Sequence, residues 1–260
     1  MANFLSGFSL SQANNKRAKT ASKNTVWRDE RDPRIFYRLR PRAKKIVIKV
    51  DAARREITAV VPEKESNLNA AKAFVNAKWD WVVFQLETLP KAQPFVPRGT
   101  ILFHGKTYAL ICPEKRGRAT IDHDTRDIFV PGDMDTFEGR TKRFLIRQAR
   151  EALTQCSRVH ADTLGRKIKS ISVRDTASRW GSCKKGNVQQ GGTISYSWRL
   201  ICAPPFVLDY VCAHECAHLI EGNHGKGFWA LCDSLVDTVR PAKRWLRENG
   251  DMLHAIGARA

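Results

Sequence analysis

His214, Glu215 and His218 stand in the order H-E-x-x-H, inside a segment whose apolar residues recur at helical spacing. Residues four apart share one face of a helix, so both imidazoles can be offered to a single metal ion. Glu215 projects from the adjoining position, where it can reach a water on that ion. His224 follows six residues after His218, on the chain returning from the helix. Three imidazoles leave one tetrahedral position of a Zn2+ ion open, which is the pattern of a catalytic centre rather than a closed structural one. Zinc so held lowers the pKa of its water to about 7, and Glu215 is placed to take the proton as that water attacks a carbon or phosphorus centre.

A helix has to present these residues. Pro204 and Pro205 fit its first turn, where a missing N–H leaves no bond unmade. Phe206, Val207, Tyr210, Val211, His214, His218 and Leu219 then repeat at helical spacing. Gly222 and Asn223 predict its end through left-handed conformers. Cys212 and Cys216 lie two residues to either side of His214, so they point elsewhere and read as small buried hydrophobes. Glu221 and Asp233 are less suited than His224 as the third ligand. His104, His123, His160 and His254 show no ligand-like spacing and are expected outside the site.

The chain has 260 residues and a formal charge of +19, from 45 Lys+Arg against 26 Asp+Glu. Such an excess attracts polyanions, whether nucleic acid, nucleotides or an anionic membrane surface. No apolar run approaches the roughly 20 residues that span a bilayer, and Met1 to Leu10 lacks the charged start and cleavage site of a signal peptide. Seven cysteines, an odd number without a paired framework, predict a reducing, cytoplasmic setting.

Three regions follow from texture: a flexible basic tail over 1–25, a β-rich region with one helix over 26–136, and a catalytic region over 137–260, with the boundary near Phe137. Residues 45–50 and 56–61 are β-branched runs that predict a hairpin. Ser66 to Leu89 reads as one helix, capped by Ser66, burying Ala70, Phe74, Ala77, Trp81 and Phe84, and stopped by Pro90. Strands are expected at 100–104, 107–112, 117–123 and 127–131. A long amphipathic helix follows over 135–165, with Phe144, Leu145, Ala149, Ala152, Leu153 and Cys156 on its apolar side. No internal repeat is visible.

Beyond it lie a strand at Ile171-Ser172-Val173-Arg174, the run Ser178-Arg179-Trp180-Gly181-Ser182-Cys183, and Gly192-Thr193-Ile194-Ser195-Tyr196. Leu208-Asp209-Tyr210-Val211 then leads into the H-E-x-x-H helix, and Asn223-His224 and Phe228-Trp229 close the series. This ordered set resembles the YgjP-like metal-dependent hydrolases, relatives of the SprT-like and WLM zinc proteases, from about residue 35 onward. The chain departs from that pattern at Cys216, where leucine is usual, at Gly225, where serine is usual, and at Tyr196-Ser197, where asparagine is frequent.

The resemblance implies an α+β fold: a β-rich N-terminal part, then a zincin-like helical catalytic part with a small sheet. It implies Zn2+ on His214, His218 and His224, and Glu215 as the acid/base of a metallopeptidase acting on peptide or protein. Arg174 and Arg179 are candidate substrate-binding cations, equally able to serve in surface ion pairs. Tyr196 is a candidate on an edge strand that would align extended substrate by analogy with related proteases. Trp180 and Trp229 read as packing anchors. Two other functions compete. Some members of the family are described as UTP pyrophosphatases, although no Gly-rich phosphate loop or magnesium-type carboxylate cluster is visible here. A polyanion-binding module with a structural metal would have no use for Glu215.

Overall fold

The computed structural model describes residues 25–258 apart from 53, 65, 66, 115, 177 and 178. The expected basic tail, up to residue 24, and the expected cap Ser66 lie outside the described residues. Among the described residues, eleven strands and six α-helices form an α+β fold with three sheets.

The first sheet has the order β1-β2-β4-β3, from Val26–Arg28, Ile35–Arg40, Glu56–Pro62 and Val47–Asp51. The expected hairpin is β3–β4, paired from Val47↔Val60 to Asp51↔Glu56. Strand β2 alternates strictly, burying Ile35, Tyr37 and Leu39, whereas β4 buries Ile57, Ala59, Val60 and Val61 with little alternation. Helices α1 (Leu68–Ala77) and α2 (Trp79–Thr88) pack on this sheet.

The single helix expected over 66–89 is therefore two, divided at Lys78 (φ −117°, ψ 23°). Their buried face also differs from expectation. It consists of Ala71, Val75, Val82 and Leu86, while Trp81 and Phe84 remain 45% and 59% exposed. Branched aliphatic side chains fill the sheet surface here, and each one fully buried is worth about 1.5–3 kcal/mol.

The second sheet, β5-β6-β8-β7, comes from Thr100–Phe103, Lys106–Ile111, Asp127–Phe129 and Thr120–Asp122. It follows the plan of the first: two antiparallel pairs joined by a central parallel pair, β2–β4 in one and β6–β8 in the other. The backbone thus repeats a strand order that the side chains do not. Helix α3 (Phe137–Thr163) buries Phe144, Leu145, Ala149 and Leu153, as its spacing predicts.

The third sheet has the order β10-β11-β9, from Gly181–Lys184, Gly192–Ser197 and Ile168–Arg174. A 3-10 turn at Trp198–Cys202 leads to α4 (Pro205–Ala217), followed by α5 (Lys226–Leu235) and α6 (Val239–Ala255). The buried apolar residues form two clusters, one from Ile35 to Leu89 and the other from Phe95 to Ile256. The β5–β8 sheet shares its core with α3 and α4, so a line at residue 137, where β texture gives way to helix, runs through the larger cluster.

Candidate metal centre

Helix α4 is apolar nearly all round, burying Val207, Leu208, Tyr210, Val211, Cys212, Ala213, Cys216 and Ala217. A helix of that kind belongs inside a core, and it carries the two histidines of its last turn to the edge of that core. Pro205 opens it, as expected. It ends earlier than expected, at Ala217, with His218 closing it. The last turn tightens to i→i+3 bonds, Leu219 to Cys216 and Ile220 to Ala217, and neither Gly222 nor Asn223 takes a left-handed conformation.

Three imidazoles meet there. His224 Nε2 lies 3.1 Å from His214 Nε2 and 3.2 Å from His218 Nε2. A tetrahedral cation with nitrogens at 2.0–2.1 Å would set these edges at about 3.3 Å. His218 Nδ1–H donates to the Glu221 carbonyl at 2.9 Å, and a carbonyl can only accept, so the Nε2 lone pair faces the centre. An Nδ1–H on His214 donating to the Tyr210 hydroxyl at 3.4 Å orients that ring the same way. Phe228, fully buried, lies beneath all three rings with centroids 4.5–4.8 Å away. Burial first, then the neighbouring His218 and His224, pushes His214 down to about 4, and burial lowers His218 as well. Three imidazole nitrogens so close together, two of them on rings whose burial disfavours the charged form, fit a divalent cation.

Glu215 is 4% exposed, and its Oε2 has no hydrogen-bond partner among the described residues. Burial pushes its carboxyl up to about 8, opposed by the charge of Arg179. A Cβ on Gly181 would come within 2.4 Å of Glu215 Oε1. Strand β10 can therefore lie against the carboxylate only because residue 181 has no side chain. That contact supplies a physical reason for the glycine in the Arg179-Trp180-Gly181-Ser182-Cys183 run.

The remaining expectations divide. Arg179 is exposed but stands near enough to Glu215 to act on it. Arg174 is exposed at the end of β9, the far strand of the sheet from β10. Tyr196 is fully buried, its hydroxyl 2.8 Å from that of Ser157, so it belongs to the core. Its strand, β11, is central rather than at an edge, pairing with β10 on one side and β9 on the other. The edge strand beside α4 is β10, whose four residues, Gly-Ser-Cys-Lys, carry no β-branched signal.

Trp180 stacks on His254 with centroids 4.5 Å apart, a packing role as expected. Trp229 lies 5.9 Å from His224 and carries the Lys243 ammonium 4.1 Å above its ring. Sequence reading missed Lys243, which comes from α6 and has no motif around it.

A family profile described as "YgjP-like, metallopeptidase domain" matches residues 44–249. No curated protein and no solved structure matches the chain.

Proposed function

The chain belongs to the YgjP-like, metallopeptidase-domain family, and on that footing we propose that it is a zinc-dependent hydrolase of peptide bonds. The observation that carries this reading is the meeting of three imidazoles, with His224 Nε2 at 3.1 and 3.2 Å from the other two, at the end of the helix whose Glu215 carries a carboxylate oxygen without a hydrogen-bond partner among the described residues. His214, His218 and His224 would hold the ion, and an all-imidazole set with an open position suits zinc. When bound, zinc supplies Lewis acidity for the carbonyl and the water. Glu215 accepts a proton from the attacking water at its carboxylate, then delivers it to the leaving amine. Its burial strengthens the electrostatic pull on that proton, and Arg179 keeps the ionised form within reach.

Substrate choice follows from openness. Residues 221–227, including His224, are exposed, so the centre opens to solvent along one side. That suits a long chain laid across it, with β10 offering backbone groups at the sheet edge. Arg179 and Lys243 flank the centre, and they favour the second reading, in which two cations grip a nucleoside triphosphate. One zinc-loaded preparation assayed on casein-like peptides and on UTP separates the two. Peptide cleavage with UTP left intact is expected; UTP hydrolysis without peptide cleavage would replace the peptidase reading.

A further inference from the structure

Helices α3 and α4 bring a second set of metal-type donors together. Cys156 and His160 are four apart on α3 and so share one face of it. Opposite them on α4 stands Asp209. The Cys156 thiol donates to Asp209 Oδ1 at 3.2 Å, and His160 Nε2 lies 2.7 Å from the same oxygen. Ligand atoms of Cys156, His160 and Asp209 all fall within 4.8 Å of one another. None of the three is a ligand of the His214 centre.

We infer that Cys156, His160 and Asp209 form a second metal site, one that takes a thiophilic divalent cation of the Zn2+ type. Sulfur, imidazole and carboxylate donors are those that zinc takes, and a water can complete its tetrahedron. Ideal tetrahedral edges would be about 3.6 Å for sulfur to oxygen and about 3.3 Å for nitrogen to oxygen. The contacts of 3.2 and 2.7 Å therefore need to open by only a fraction of an ångström. The carboxylate can provide that movement, because the Asp209 side chain is 44% exposed while that of His160 is 8% exposed. The half-exposed carboxylate also leaves a route in from solvent. Binding displaces the Cys156 thiol proton and the proton on His160 Nε2, and one thiolate with the Asp209 carboxylate balances the cation's two charges. Such an ion would tie α3 to the helix that bears His214 and Glu215.

Cobalt reports the two sites separately, because only thiolate ligands give a near-ultraviolet sulfur-to-cobalt charge-transfer band and the His214 centre has none. Fully reduced, full-length protein titrated with Co2+ should take up two equivalents and develop that band. His224→Ala should weaken uptake at the first centre and keep the band. Cys156→Ala should lose the band and one equivalent. Asp209→Asn, at a half-exposed position that perturbs packing little, should bind the second equivalent on the order of tenfold or more weakly. Peptidase activity measured beside these titrations reports only on the first centre. Uptake of a single equivalent with no thiolate band, or a band that survives Cys156→Ala, would overturn the site and leave His160–Asp209 as an ion pair beside a thiol.

Discussion

Glu215 depends on a residue that has no side chain. Because a Cβ at position 181 would reach within 2.4 Å of the carboxylate, Gly181→Ala must displace either β10 or the proposed base. Overpacking of this kind costs about 1–3 kcal/mol in stability. A displacement of about 1 Å at a reacting group can cost about 10²-fold in rate. Gly181→Ala should therefore keep its metal and its fold while losing on the order of 10²-fold in kcat. Peptide turnover, metal content and circular dichroism on one sample check this, and wild-type kcat would show that β10 does not set the carboxylate. The proposed ligand residues are legible in the sequence because their signal is local: His214 and His218 one helical turn apart, His224 six residues on. Cys156 and His160 carry the same four-residue spacing, but their partner Asp209 lies about fifty residues away. Only the packing of α3 on α4 reveals it.

Helix α3, with a long, periodic apolar face, agrees with expectation because the spacing of Phe144, Leu145, Ala149 and Leu153 leaves little choice. Elements whose identity is set by neighbours do not. The phase of α1 and α2 is decided by the sheet beneath them, which takes Val75 and Val82 in place of Phe74 and Trp81. Strand β10 is too short and polar to announce itself, whereas Ile194 and Tyr196 of β11 alternate as a strand on their own, and analogy alone does not tell an edge strand from a central one. The edge position of β10 carries a prediction. In the Glu215→Gln protein, a bound extended peptide should slow hydrogen exchange at the amides of residues 181–184. Protection confined to α6 around Lys243, with β10 unchanged, would place the substrate elsewhere.

At the scale of the molecule, two apolar clusters among the described residues underlie a chain of strong positive charge. The sequence shows the charge but not the clusters, because core membership depends on which sheet each strand joins. Strands β5 to β8 have the same β texture as β1 to β4, yet Phe103, Tyr108, Leu110 and Ile128 pack with α3 and α4. No helix among the described residues is long and apolar enough to cross a membrane. The +19 charge is the basis for proposing a nucleic-acid partner. If it acts through phosphates, affinity for a DNA duplex should fall steeply with salt. A protein that neutralises roughly six phosphates loses about 10³-fold between about 50 and about 200 mM. Filter binding at several salt concentrations measures the slope, and no retention at the lowest salt would remove that partner.

The proposal that one carboxylate serves a centre of three imidazoles is tested most directly by Glu215→Gln, which preserves size and removes the proton acceptor. Zinc content and peptide turnover should be measured on the same zinc-loaded preparation. The expected result is zinc at the wild-type ratio with kcat lower by about 10²–10⁴-fold, the usual contribution of a positioned acid/base. Wild-type turnover with full zinc would contradict the assignment.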